Sequence, residues 1–274
     1  CMSAARLMTN IAGWLSKGEP GKTALSFETG ESWTYSELDQ WAAAIAVHLA
    51  DMHQVSKGDR VAFLGFNHPG MIALLFACAR LGAILVPLNW RLAEAELGFI
   101  LSDCTPNVLL CTEEFDQTAH AISQKVESVS ALTSLIAPTE AAPNSGSLND
   151  DLLIVYTSGT TGRPKGAVLS QRALLANAEG SMDMHQMTAS DRVLVVLPLF
   201  HVGGLNIALT PALYAGATVH LHGKFDPPAT LEAVETFKPH ILVLVPATLQ
   251  AIMALPNWPG ALTGLRMLTT GSMI

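Results

Sequence analysis

Apolar positions along the chain alternate between short continuous runs and runs spaced three and four residues apart. Leu38, Trp41, Ala42, Ile45 and Leu49 recur at helical spacing behind Thr34-Tyr35-Ser36-Glu37, where Thr34 and Glu37 make a capping box. The next run, Arg60 to Gly65, is short and apolar and reads as a strand. Pro69 to Leu81 reads as a mostly buried helix and Ala83 to Pro87 as a second strand. That order is a βαβ unit, which implies parallel strands joined by a right-handed crossover. Ala93–Leu101 continues as a helix and Asn107–Cys111 as a strand.

Pro138 to Asp151 loses all apolar period and is rich in Ala, Pro, Asn, Ser and Gly, which marks an exposed connection. Beyond it, Ser170 can cap a helix reaching to about Met182. Strands are expected at Val193–Leu197, Thr218–Leu221 and Ile241–Val245, helices at Pro228–Phe237 and Ala247–Leu255, and a last strand at Arg266–Thr270. The pattern predicts an α/β protein, divided at residues 1–150 and 151–274, without internal repeats.

Composition narrows the class. Half of the 274 residues are hydrophobic and only 14% are charged, so a large buried core is expected. A formal net charge of −8 argues against a nucleic-acid binder, which shows a basic patch or stripe. Cys1, Cys78, Cys104 and Cys111 have no C-x-x-C spacing and read as buried free thiols in a reduced, cytoplasmic setting. Val193 to Gly223 carries no Asp, Glu, Lys or Arg, which raises a membrane span. Its Pro198, Pro211, Gly203, Gly204, Gly216 and three histidines fit buried strands and a ligand pocket better. His220 and His222 alternate with Val219 and Leu221 and read as a polar sheet face rather than as metal ligands. Met182, Met184 and Met187 read as ordinary core or helix surface.

The chemistry concentrates in Tyr156-Thr157-Ser158-Gly159-Thr160-Thr161-Gly162-Arg163-Pro164-Lys165-Gly166, directly after the apolar Leu152–Val155. Glycines allow positive φ and close backbone approach. Successive N–H groups in such a turn form an anion-binding concavity. The Ser and Thr hydroxyls add donors, and Lys165 adds a mobile positive charge. Gly159 and Gly162 are too close together for a Walker loop, and Gly166 follows the lysine where that motif has Ser or Thr. Pro164 disfavours helix at Arg163, so the segment is expected to stay a loop through Lys165.

From Ile154 to Lys165 this run resembles the phosphate-binding signature of the adenylate-forming enzymes: acyl-CoA synthetases, luciferase-like proteins and peptide-synthetase adenylation domains. The likeness extends to Thr34-Tyr35-Ser36-Glu37-Leu38, Gly58-Asp59-Arg60-Val61-Ala62, Gly82-Ala83 through Arg91-Leu92, Leu197-Pro198-Leu199-Phe200-His201-Val202-Gly203-Gly204-Leu205, and Leu265-Arg266 through Thr270-Gly271-Ser272. Two departures stand out. Gln171 occupies a place where the family often has His, and Gly271-Ser272-Met273-Ile274 replaces the commoner Gly-Gly-Ala-Pro.

The resemblance implies a layered α-β-α-β-α arrangement of mostly parallel sheets and the N-terminal part of a longer synthetase. The family's later Tyr-Gly-x-Thr-Glu motif, ribose-binding Asp and C-terminal catalytic Lys are not in this sequence, so the chain alone is expected to be inactive. It implies ATP, Mg²⁺ and coenzyme A as partners of a carboxylic acid, and no transmembrane segment. Thr157, Ser158, Gly159, Thr160, Thr161, Gly162 and Lys165 would hold the phosphates, with Thr160 also toward Mg²⁺. Thr270, Gly271 and Ser272 would contact the nucleotide. Lys165 and His201 would serve catalysis, and Phe200, His201, Gly203, Gly204, Val245 and Pro246 would line the acyl pocket.

Amino-acid-activating relatives carry an Asp directly after this Phe to pair with the substrate ammonium. Here His201 stands there, and a buried ammonium without an anion is costly. The resemblance therefore favours a fatty acid, with an aryl acid or acylation of a carrier protein as alternatives; for the chain alone, a non-catalytic nucleotide-binding role is the third.

Overall fold

The computed structural model describes residues 8–135, 142–157 and 163–271. Among them are the strands β1 (Thr23–Phe27), β2 (Ser32–Thr34), β3 (Arg60–Leu64), β4 (Ile84–Leu88), β5 (Val108–Cys111), β6 (Val126–Ser128), β7 (Asp151–Thr157), β8 (Lys165–Ser170), β9 (Arg192–Val195), β10 (Thr218–Leu221), β11 (Ile241–Leu244) and β12 (Met267–Thr270). They form two mostly parallel sheets in a mixed α/β fold, and the chain divides into two compact units.

The first unit comprises Glu37–Gly65, Gly70–Leu175 and the N-terminal stretch up to Ser16. Its sheet has the order β6-β5-β3-β4-β7-β8. All neighbours are parallel except β7 and β8. β3, β4 and β5 are nearly uninterrupted apolar runs because both faces of a parallel sheet are covered; Val61–Leu64, Ile84–Leu88 and Val108–Cys111 are buried. The helix Pro69–Leu81 joins β3 to β4, and Met71 to Ala79 are all buried within it. The helix Glu94–Cys104 starts with the Glu96 carboxylate accepting from the Ala93 N–H (3.0 Å) and ends at Thr105 in the left-handed region. The first unit runs past residue 150 because β7 and β8 complete its sheet.

The second unit comprises Lys17–Ser36, Phe66–Pro69 and Ala176 onward. Its sheet has the order β12-β11-β9-β10-β1-β2, again parallel except for the edge pair β1 and β2. The helices Pro227–Phe237 and Pro246–Met253 pack their apolar side chains with β9 and β11 around Leu194, Val196, Leu231, Leu242, Leu244 and Ile252.

The uncharged Val193–Gly223 stretch resolves into β9, a loop, a helical segment and β10. No helix among the described residues is long and apolar enough to cross a membrane. Cys78, Cys104 and Cys111 are buried free thiols. Burial pushes the Cys104 and Cys111 thiols up to about 11, which keeps them protonated and unreactive.

Two local expectations change. The sequence pattern gave no strand between the glycine-rich loop and Ser170, yet Lys165–Ser170 is β8. His220 and His222 do not form a wet polar face: His220 stacks on Phe237 with ring centroids 5.0 Å apart, and His222 is 3% exposed.

Candidate functional site

In the first unit the candidate phosphate loop joins β7 to β8 in sequence, and these two strands pair antiparallel as a hairpin. Register pairs Thr157 with Lys165 and Tyr156 with Gly166, so the hairpin brings the first hydroxyl and the lysine directly opposite each other. Both are exposed. Ser158, Gly159, Thr160, Thr161 and Gly162 lie outside the described residues, and with Thr160 the candidate Mg²⁺ ligand. The hairpin base is firmly built. The Tyr156 hydroxyl donates to Asp103 at 2.5 Å, and a Cβ on Gly166 would stand 2.6 Å from Ile154 Cγ2 and 3.2 Å from the Tyr156 ring. Burial first, and then the Asp103 carboxylate, raise the Tyr156 phenol, so it remains a donor.

In the second unit, parallel pairing of β9, β11 and β12 sends their carboxyl ends to one edge. Ligands of open α/β sheets bind outside that edge. The segment Leu197–His201 follows β9, Val245-Pro246 follows β11, and Thr270-Gly271 ends β12. Leu244 is in register with Thr270, and the Gly271 N–H reaches the Leu244 carbonyl at 3.4 Å. Phe200, His201, Gly203, Gly204, Val245, Pro246, Thr270 and Gly271 therefore share one edge of one sheet. Ser272 lies outside the described residues.

His201 is exposed and caps the short helix Val202–Gly204: its Nδ1 accepts from the Gly203 N–H at 3.0 Å. That bond assigns the ring proton to Nε2 in the neutral tautomer. Gly204 is required by space, because a Cβ there would run into the Pro198 carbonyl oxygen and stand 2.7 Å from that of Leu197. Val245 begins the helix Pro246–Met253 with its N–H donating to Thr248 Oγ1 at 3.0 Å, and Pro246 takes the first turn, where no N–H is needed.

Sequence reasoning missed the side chains that hold this edge in place. Asn67 is buried; its Nδ2 donates to the carbonyls of Leu197 (3.0 Å) and His222 (2.9 Å), and its Oδ1 accepts from the Leu199 N–H at 2.8 Å. One amide thus clamps the start of the His201 segment to the end of β10.

Past His201 the helical segment contains a π-helical turn, Leu205–Leu209, and Pro211 lacks the N–H that would bond the Ile207 carbonyl. Ser181 Oγ donates to that carbonyl instead at 2.8 Å, and Asn177 Nδ2 donates to the carbonyl of Asn206. Buried His185 ends the helix Gln171–His185, which also carries Asn177 and Ser181, and links it to β12: its Nδ1–H donates to the Ser181 carbonyl (2.8 Å), which leaves Nε2 to accept from Thr269 Oγ1 at 2.9 Å. Gln171, where the family often has His, is fully buried in the first unit, accepting from the Ile11 N–H (2.9 Å) and donating to the Ala79 carbonyl (3.0 Å).

The family model described as AMP-binding enzyme matches residues 14–274. The indoleacetate–CoA ligase of Aromatoleum aromaticum is 46% identical over 273 residues, which cover 93% of this chain and 53% of that protein. A feruloyl-CoA synthase of an Amycolatopsis species is 41% identical over 244 residues, covering 88% and 50%. Among solved structures, the AMP complex of O-succinylbenzoate coenzyme A synthetase from Bacillus subtilis superposes with a TM-score of 0.83 at 28% identity, over 97% of this chain and 68% of that one. ATP-bound MatB from Rhodopseudomonas palustris gives 0.86 at 28% identity, over 97% and 55%. The chain spans about half the length of the curated relatives it matches. The fold of N-terminal acyl-CoA synthetase domains, the hairpin motif and the family match converge: the chain belongs to the AMP-binding, adenylate-forming enzyme family.

Proposed function

We propose that the protein to which this chain belongs is an ATP-dependent acid–CoA ligase acting on a carboxylic acid with an aromatic body. The observation that carries the reading is the 46% identity, across 93% of the chain, to a protein named indoleacetate–CoA ligase. The second named relative, a feruloyl-CoA synthase, also bears an aromatic acid in its name. A fatty acid, favoured by the sequence resemblance alone, becomes the second choice.

In the proposed reaction a carboxylate oxygen attacks the α-phosphorus of ATP, and pyrophosphate leaves with the electron pair of the broken P–O bond. The product is an acyl adenylate. The thiolate of coenzyme A then attacks the acyl carbon, and AMP departs. Such transfers depend on positioning and charge stabilisation more than on covalent help from the protein. Lys165, Thr157 and the loop Ser158–Gly162 are assigned to the β- and γ-phosphates, and Thr160 to the Mg²⁺ that accompanies ATP. His201 is assigned to the carboxylate, with Nε2–H as the donor. Thr270, Gly271 and Ser272 are assigned to the nucleotide. Phe200, Gly203, Gly204, Val245 and Pro246 are assigned to the acyl group, where two glycines leave room for a flat ring. The position after Phe200 holds no anion, which disfavours an α-amino acid.

The test is ATP–pyrophosphate exchange by the full-length protein with indole-3-acetate, ferulate, benzoate, octanoate, palmitate and an amino acid. Exchange is expected with an aromatic acid and should fall by about 10²–10³-fold in Lys165→Ala. Because Lys165 is exposed, the variant's unfolding midpoint should stay near wild type. Exchange supported only by fatty acids would overturn the substrate class. No exchange with any acid, in a folded protein that binds ATP, would overturn the ligase assignment.

A further inference from the structure

In the first unit, far along the chain from the residues assigned to catalysis, His48, His53 and Glu127 bring three ligand atoms within 4.8 Å of one another. His48 and His53 sit on the last turns of the helix Tyr35–His53, and Glu127 lies in the edge strand β6. Glu127 Oε1 is 2.8 Å from His48 Nε2, and its Oε2 is 2.6 Å from His53 Nε2. The side chains are about four-fifths buried, with exposures of 18%, 22% and 17%. They are partly desolvated yet reachable from solvent.

We infer that this cluster is a binding site for a Zn²⁺-class divalent ion. The donor set is two imidazole nitrogens and one carboxylate oxygen. Imidazole suits zinc and its transition-metal neighbours, whereas Mg²⁺ and Ca²⁺ prefer all-oxygen sites. Two neutral histidines and one carboxylate form a three-ligand set, and the exposed side leaves a fourth tetrahedral position for water. The hydrogen-bonded pairs, 2.6–2.8 Å apart, would have to open by about half an ångström to admit an ion bound at about 2.0–2.1 Å to each ligand.

All three residues stand on regular elements. The helix stops at Gln54 in the left-handed region, with the Val55 N–H bonded to the Leu49 carbonyl (3.0 Å). Asn107 Nδ2 donates to the His53 carbonyl at 3.3 Å, and pairing of β5 with β6 sets Glu127 opposite Leu110. Glu127 now accepts hydrogen bonds from both rings. On binding, a neutral ring would lose the Nε2 proton to solvent and take one up at Nδ1, which frees the Nε2 lone pair for the metal without changing the ring's charge. The ion would brace the helix end against the edge strand of the sheet.

The test is titration of the chelator-treated full chain, without an affinity tag, with ZnCl₂ by calorimetry and with CoCl₂ by visible absorption. One equivalent of Zn²⁺, a tetrahedral Co²⁺ spectrum and a raised unfolding temperature are expected. Glu127→Gln and His53→Gln should each weaken binding at least about tenfold, while the exposed His120→Ala should not. A measurement free of variants guards against misfolding: Zn²⁺ should protect His48 and His53 of the wild-type chain from carbethoxylation, read by peptide mass analysis. No binding, binding unchanged in folded Glu127→Gln and His53→Gln, or equal modification with and without Zn²⁺ would overturn the assignment.

Discussion

Asn67→Ala is expected to be among the most damaging single truncations in the second unit, although Asn67 touches none of the residues assigned to catalysis. The wild-type amide satisfies three backbone groups, the carbonyls of Leu197 and His222 and the N–H of Leu199. A buried group left without a partner costs about 1–3 kcal/mol. Carbonyls keep a second lone pair and water can enter the space vacated, so the total should be about 3–4 kcal/mol. For a chain of this size that corresponds to a fall of about 10 °C in unfolding temperature. The substitution also frees the strap that carries Phe200 and His201. A misplacement of about 1 Å can cost 10²-fold in rate, so acid-dependent exchange should drop by about 10–100-fold.

Asn67→Asp is the sharper probe, because its shape is unchanged. Its carboxylate would face two carbonyl oxygens and lose both donor bonds, keeping only the Leu199 N–H. It should be at least as unstable as Asn67→Ala at pH 7. Its folded-state pKa would lie above the unfolded value, so stability should recover as pH falls through that folded pKa toward about 4, where the acid form can donate once. Thermal unfolding from pH 7 to 5, with pyrophosphate exchange at pH 7, reads both effects. A loss under about 1 kcal/mol, or an aspartate variant as stable as wild type at pH 7, would refute the clamp.

Three further outcomes are expected. Gly204→Ala forces a methyl against the Leu197 and Pro198 carbonyls, and should cost about 1–3 kcal/mol with lost exchange activity, measurable by thermal unfolding and the same assay. Ser181→Ala leaves the Ile207 carbonyl without the hydroxyl that replaces the missing Pro211 N–H, and should cost about 1–2 kcal/mol in urea unfolding, with the activity loss confined to the acid substrate's KM. Burial first, and then neighbouring His222, pull His220 down to about 4. Between about pH 6.5 and 4 the unfolded chain therefore binds more protons, so this contribution is full above pH 6.5 and is lost as pH falls. His220→Gln should flatten that part of the stability–pH curve by on the order of 2 kcal/mol, discounted for the ring's partial exposure.

What could be read from the sequence follows from the range of the forces involved. β3, β4 and the helix Pro69–Leu81 are legible because a strand covered on both faces must be apolar throughout, and a buried helix must be apolar for more than two turns. The helix Gln171–His185 is legible from Ser170, whose Oγ does accept from the Ala173 N–H at 3.2 Å. β8 is not legible: Lys165-Gly166-Ala167-Val168-Leu169-Ser170 is short and largely exposed, and it is a strand only because β7 pairs with it. β2 fails for a similar reason, as a three-residue strand at the edge of the second unit's sheet that pairs only with β1. The lysine and hydroxyls assigned to the phosphates could be proposed from the sequence because the motif is local. Asn67, Asn177, Ser181, His185 and Gln171 could not, because the partners of Asn67 and Gln171 lie 92–160 residues away and those of the others, apart from the local His185–Ser181 bond, 26–84 away.

These missed residues share a physical task. A chain that stops a strand to present a side chain at a sheet edge breaks its ladder there, and the freed backbone groups must be satisfied where water is scarce. Around the His201 strap, Asn67 satisfies Leu197, Leu199 and His222, Ser181 satisfies Ile207, and Asn177 satisfies Asn206. Short polar side chains suit this work because they lose little entropy and aim one or two bonds with fixed geometry. The consequence for substrate choice is specific. Residues assigned to the acyl group can change without removing a bond that holds the strap, so variants at Val245 or Gly203 should alter which acid is used while leaving Lys165-dependent exchange intact. Variants of Asn67 or Ser181 should weaken use of every acid together. Acid preference redistributed by Asn67→Ala, with total exchange unchanged, would contradict that division between residues that hold the strap and residues that read the substrate.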